Sequence, residues 1–289
     1  MKKSRLSTIL ALSLSAVMIF GLAGCGSSGD SGSEGKDITV ISREEGSGTR
    51  DAFVELTGVL QDDVDRTVDT AEISNSTSVV TQSVAGNDAA IGYISMGSLD
   101  DNVKALKIDG VEATVDNVKS GDYQLQRPFN IVTKGTVAEL PQDFIDFIMS
   151  ADGQAIIEEE GYIMAQEDGK AYEASGLTGT ITLAGSTSVS PVMEVLADRY
   201  KELNSGVTIE IQQTGSGAGI QSTIEGVCDI GMASRELEDE EASQGLESQE
   251  IALDGIAVIV NRDNEADDIT MEQIMKIFTG EITNWADVK

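Results

Sequence analysis

The chain has 289 residues, 50 of them acidic against 19 basic, for a net charge of −31. A chain this acidic, with no Lys/Arg cluster beyond its first residues, is not patterned to hold nucleic acid. It contains no histidine and only two cysteines, Cys25 and Cys228, which removes His-based triads, the usual general base and most zinc sites.

Lys2, Lys3 and Arg5 precede a largely apolar run over 6–22, and Leu22-Ala23-Gly24-Cys25 closes it. This stretch resembles the lipobox of bacterial lipoproteins, in which the signal is cut before Cys and that Cys is lipidated. The resemblance implies a signal peptide over 1–24, lipidation at Cys25 and a flexible Gly/Ser-rich tether over 25–36. The mature protein is then expected on the extracytoplasmic face of the bacterial cell membrane, held by its lipid anchor.

The mature chain opens with a β-branched run over 38–42, then Arg43, then Gly46-Ser47-Gly48-Thr49, then a helical pattern at Ala52, Phe53 and Leu56. Strand, tight loop and helix start aim unpaired N–H groups and hydroxyls at one point, where the helix dipole favours an anion. Arg43, at the strand end, adds a planar fork of donors. Residues 61–72 read as an acidic loop and 73–78 as a polar loop before a helix at 79–85. Strands are expected at 91–95, 103–108 and 127–133. The block 140–161 reads as an amphipathic helix pair.

Residues 164–179 are polar and irregular, as a linker would be. The opening pattern then restarts. A strand at 180–184 leads through the hydroxyl-rich loop 185–190 into a helix with Pro191 in its first turn. A strand at 207–212 leads through the Gly-rich loop 215–219 into a helix at 220–225. A strand at 227–231 ends in Ala233-Ser234-Arg235-Glu236. A buried strand at 256–260 and a Thr-capped helix at 270–278 follow.

Four donor-rich loops thus stand at strand ends, at 46–49, 185–190, 215–219 and 233–236. Alternating strands and helices predict α/β lobes with mostly parallel sheets flanked by helices, and ligands beyond the carboxyl ends of the strands. Four such loops converging would wrap a small anion. Other chemistries fail on spacing. Gly35-Lys36 and Gly169-Lys170 are not followed by Ser or Thr, so neither is a nucleotide P-loop. Ser47 and Ser216 lack the Gly two residues before them that a hydrolase elbow needs. Acidic pairs such as Asp62-Asp63 read as solvated surface, and no metal site or cofactor is expected.

Together these residues resemble the phosphate-binding lipoproteins of bacterial ABC transporters, a two-lobed periplasmic-binding-protein-like fold of type II. The family's Arg-x-x-Gly-Ser-Gly-Thr loop matches Arg43, Gly46, Ser47, Gly48 and Thr49. Its first-strand loop matches Ala184-Gly185-Ser186-Thr187-Ser188, its second Gly-rich loop matches Gly215-Ser216-Gly217, and its third segment is similar to residues 229–235. The order differs, because in the family the segment like 180–289 comes first. The chain therefore resembles a circular permutant, with one lobe formed by 37–107 plus 267–289 and the other by 110–260, including an exposed link at 164–179.

The resemblance implies a monomeric receptor that binds inorganic phosphate and delivers it to an ABC permease, without chemistry on the ligand. Arg43, Ser47, Gly48, Thr49, Thr187, Ser188, Ser216 and Ser234 would hold the anion. Well-known members place an Asp after the Ser of the third segment to accept the phosphate proton. Here that place holds Arg235, so Glu236 is the expected acceptor, with Glu45 pairing Arg43. A sulfate- or molybdate-type oxyanion receptor is the alternative, and an exported phosphate-ester hydrolase a more distant one.

Overall fold

The computed structural model describes residues 35–288. Residues 1–34, including the expected signal peptide and Cys25, lie outside the described residues, as does Lys289. The main strands are β1 Thr39–Arg43, β2 Glu72–Ser74, β3 Ala90–Ser95, β4 Gln126–Lys134, β5 Gly179–Gly185, β6 Val207–Gln213, β7 Ile230–Ala233 and β8 Leu246–Asn261. The main helices are α1 Gly48–Thr57, α2 Thr77–Ala85, α3 Glu139–Ile148, α4 Ala151–Glu159, α5 Ser190–Leu203, α6 Ser216–Glu225 and α7 Met271–Phe278. The strands lie side by side in the order β6-β5-β7-β4-β8-β3-β1-β2.

The outer pairings of this sheet are parallel: β6 and β7 on β5, and β2 and β3 on β1. They belong to the strand–loop–helix units, whose helical returns force neighbouring strands to run the same way. The central pairings, β7 on β4, β4 on β8 and β8 on β3, are antiparallel.

β8 joins the two lobes. It pairs with β4 up to Gly255, opposite Gln126, and with β3 from Ile256, opposite Ser95. Each half faces its own core. In one lobe Phe129, Ile131, Leu183 and Ile230 of the sheet pack under Phe144, Phe147, Leu196 and Tyr200 of the helices. In the other, successive side chains of a strand point to opposite faces. Val40, Val258 and Val260 therefore meet Phe53 and Phe278 on one face, while Ile41, Ala257 and Ile259 meet Val80 and Val84 on the other.

The lobe boundaries differ from the expected ones. Val118, Tyr123 and Leu125, and Ile256, Val258 and Val260, pack in the core around Phe53. The crossing points therefore fall near 125 and 255 rather than near 108 and 260. The cause is the length of β8, a single strand that changes lobe without a turn. Residues 72–74 are a third departure, because they form the edge strand β2 rather than loop.

The two ends of the described chain meet. Asp37 bridges Asn284, Ile38 N–H donates to the Thr283 carbonyl at 2.8 Å, and Trp285 N–H donates to the Lys36 carbonyl at 3.0 Å. The 164–179 link is mostly exposed. Tyr172 nonetheless ties it to one lobe: its hydroxyl donates to Asp143 Oδ2 at 2.6 Å, which also accepts from Tyr200 at 2.5 Å.

Candidate functional site

Four helices begin at one place. α1 follows β1, α5 follows β5, α6 follows β6, and α2 follows β2. Their N-termini carry the unpaired N–H groups and partial positive charge that suit an anion. Ser47 caps α1 by accepting from Arg50 N–H, and Ser76 caps α2 by accepting from Val79 N–H. Two glycines allow the elements to approach. A side chain at Gly219 would fall 2.4 Å from Gly185 Cα, so α6 can sit against the end of β5 only without one. A Cβ on Gly48 would lie 2.5 Å from Ser216 Oγ and 2.8 Å from Ser234 Oγ.

The loops from both lobes are joined by hydrogen bonds. Thr49 Oγ1 and Ser188 Oγ are 2.9 Å apart, and Gly217 N–H donates to the Gly46 carbonyl at 2.9 Å. Ser234 Oγ is 3.3 Å from Ser216 Oγ and accepts from Ser186 Oγ at 3.0 Å. A fifth segment, missed in the sequence, completes the cluster. Thr77 Oγ1, in the first turn of α2, lies 3.2 Å from Thr187 Oγ1 and 3.1 Å from Ser188 Oγ. Its signal was the Ser-Asn-Ser-Thr-Ser run at 74–78, which has no glycine and so reads as an ordinary polar loop.

Arg43 provides the charge. Its side chain is only 2% exposed, and Nη2 donates to Thr187 Oγ1 at 3.2 Å. The strand end that carries it is tied to the core. Arg43 N–H donates to Tyr93 Oη at 3.1 Å, Ser42 Oγ is 2.9 Å from the same oxygen, and the Tyr93 ring stacks on Phe53 with centroids 3.9 Å apart. Burial pushes the Tyr93 phenol up to about 12, so it stays neutral beside the guanidinium. The acid that pairs with Arg43 is Glu44 and not Glu45. Glu44 Oε2 accepts from Nε and Oε1 from Nη2, each at 2.8 Å.

Of the expected residues, Arg43, Gly48, Thr49, Thr187, Ser188, Ser216 and Ser234 come together, with Ser47 buried beside them as a helix cap. Arg235, Glu236 and Glu45 do not join the cluster. They line a groove at its rim with Arg50, Asp51 and Arg127. Glu236 is exposed and accepts from Asn130 Nδ2 at 3.4 Å. Arg235 donates to Asp51 at 3.0 Å and to both oxygens of Glu241 at 2.7 and 2.8 Å. Burial pushes the Asp51 carboxyl up, and the Arg235 charge offsets only part of that. Glu241 is also partly buried, yet the hydrogen bonds and charge of Arg235 hold its carboxyl below the usual range.

Two lobes joined by crossing strands, with helix N-termini and hydroxyls gathered between them, define a substrate-binding protein by geometry. A family model described as a PBP superfamily domain matches residues 27–152 and 170–289. The chain is 49% identical to the phosphate-binding protein PstS 2 of Streptococcus agalactiae, over all of this chain and 99% of that one. It is 48% identical to the protein of the same name from Streptococcus pneumoniae, both chains being covered in full. The crystal structure of a phosphate-binding protein of a phosphate ABC transporter from Streptococcus pneumoniae superposes with a TM-score of 0.71 at 50% identity. The match covers 88% of this chain and 100% of that one. The chain therefore belongs to the PBP superfamily, in the family these phosphate-binding proteins represent.

Proposed function

We propose that this protein is an extracytoplasmic receptor that binds inorganic phosphate between its lobes and delivers it to an ABC permease. The observation that carries this is the convergence of buried Arg43 with the hydroxyls of Thr49, Thr77, Thr187, Ser188, Ser216 and Ser234 at four helix N-termini. Hydroxyls and N–H groups there can donate to every oxygen of a small tetrahedral anion, and Arg43 places a cationic donor group beside them. The names of the full-length relatives support the same ligand. The protein acts as a monomer, held at the membrane by lipid on Cys25, and performs no reaction on the ligand. The test is equilibrium titration with phosphate beside a turnover assay with a chromogenic phosphate ester. Saturable phosphate binding without turnover is expected; ester hydrolysis, or no binding, would reject the receptor.

We infer also that the chain is circularly permuted relative to the family's usual order. The bridge between Asp37 and Asn284 and the exposed 164–179 link support this. A variant joined from residue 288 to residue 35 by a short linker and opened within 165–178 should fold and bind phosphate. Failure of several such variants to fold would count against it.

A further inference from the structure

The Nε and Nη2 donors of Arg43 form the fork that a guanidinium offers to an oxyanion. Both are taken by the Glu44 carboxylate, at 2.8 Å each. Glu44 is not a distant surface partner. Its side chain is 25% exposed, and Oε1 reaches the opposite lobe, where it lies 3.5 Å from the Cβ position of Gly215 at the start of α6. The same Nη2 also donates to Thr187. The carboxylate thus stands on the guanidinium, at the edge of the hydroxyl cluster. Among the described residues, no other carboxylate is hydrogen-bonded to Arg43 or to the six clustered hydroxyls. Glu236, which the sequence put forward for a carboxylate role, is bonded to Asn130 instead.

We propose that Glu44 is the residue that sets which oxyanion this site accepts. The proposal rests on the phosphate reading above and goes further, to the basis of its selectivity. A buried guanidinium needs a counter-charge, and Glu44 supplies it. An incoming oxyanion must then share the fork with a carboxylate. An ion that carries a proton can donate it in a hydrogen bond to Glu44, which turns the closest repulsion into an attraction. Sulfate at neutral pH has no proton to donate, so it meets an acceptor face to face and the charges repel. Phosphate, which keeps at least one proton near neutrality, is favoured. Selectivity against sulfate therefore comes from the residue next to the arginine, on the same loop, and not from the third segment.

The experiment is calorimetric titration of the full chain with phosphate and with sulfate, for the wild type, Glu44→Gln and Glu236→Gln. Glu44→Gln keeps the length of the side chain and one carbonyl oxygen for Arg43 but removes the charge. The ratio of sulfate to phosphate affinity is expected to rise at least tenfold in Glu44→Gln and to stay at the wild-type value in Glu236→Gln. An unchanged ratio in Glu44→Gln, or a shift in Glu236→Gln alone, overturns the proposal. Should Glu44→Gln not fold, Glu44→Ala, which removes both the charge and the acceptor oxygens, must raise the same ratio or the proposal fails. A wild type that binds no phosphate would end the receptor reading and this proposal together, whereas phosphate binding with unchanged ratios ends this proposal alone.

Discussion

Arg235 of one lobe donates to Asp51 of the other at 3.0 Å, across the mouth of the cleft. Arg235 is 11% exposed and held from behind by Glu241, while Asp51, near the start of α1, is 37% exposed. The pair spans the two lobes, so it is expected to act as a latch that forms as they close. Arg235→Ala should loosen the closed form. A partly exposed pair of this kind contributes about 1 kcal/mol or less, or roughly fivefold in affinity. The loss should appear mainly in the dissociation rate, because the latch forms after encounter. Stopped-flow measurement of phosphate release tests this, and an unaltered release rate in both Arg235→Ala and Asp51→Asn would dismiss the latch.

That latch was hidden in the sequence for a physical reason. Glu241 sits within an acidic stretch that reads as a solvated face, and nothing local marks it as the partner of Arg235 six residues earlier. The four loops were legible because Gly, Ser and Thr at strand ends carry their own geometry. Thr77 was not, since its position depends on β2 pairing with β1 through Ile41 and Glu72, a contact that its own segment does not announce. The full span of β8 was also lost. Its first half, Leu-Glu-Ser-Gln-Glu, is mostly polar, and only the apolar run 256–260 looked buried. The choice of Glu45 over Glu44 as the partner of Arg43 was a question of which side the loop turns, which spacing alone leaves open.

Arg43→Ala should weaken phosphate binding severely. Truncating one member of a desolvated, charge-assisted contact typically costs about 2–5 kcal/mol, or roughly 30-fold and upward in the dissociation constant. Arg43→Lys should recover only part of this, because a point charge cannot replace a planar fork. Calorimetry on both variants is the measurement. Equal affinities for Arg43→Lys and the wild type would mean that the fork geometry is unused.

Gly48→Ala should block the meeting of the lobes. The added methyl would fall 2.5 Å from Ser216 Oγ and 3.1 Å from Ser216 Cβ, both on the opposite lobe. Rotating the hydroxyl relieves the first clash but not the second, so the loops must separate by a few tenths of an ångström. In one lobe alone the substitution is harmless, since alanine is a better helix residue than glycine. Phosphate affinity should therefore fall by tenfold or so, at a cost of about 1.4 kcal/mol, while the thermal midpoint without phosphate changes little. Wild-type affinity in Gly48→Ala would show that the lobes do not close this tightly around the ligand.

The last prediction concerns pH and the strands that join the lobes. Arg127 and Asp254 face each other in the β4–β8 register, one residue before β8 leaves β4. Arg127 Nε and Nη2 lie 3.3 and 3.2 Å from Asp254 Oδ2, and both side chains are 1% exposed. Ser95, at the end of β3, donates to Asp254 Oδ1 at 2.8 Å, and the guanidinium lies over the Phe129 ring at 5.4 Å. Arg127 Nη1 is buried without a partner, so the pair is only partly compensated. Burial accordingly pushes the Asp254 carboxyl up to about 6 from an ordinary 3.8, more than Arg127 and Ser95 pull it down. The native state thus takes up this proton at a higher pH than the unfolded chain. Between pH of about 4 and 6 the native state binds more protons, so the stability owed to this group falls as pH rises through that window and is level above it. Asp254→Asn mimics the protonated acid and removes the effect. Urea unfolding of the wild type and Asp254→Asn across pH 4 to 7 isolates it, because the other acids titrate alike in both chains. The stability difference should shift in favour of Asp254→Asn as pH rises to about 6 and then hold constant. A shift toward the wild type over the same range would mean that the attraction of Arg127 exceeds the cost of burying the carboxylate.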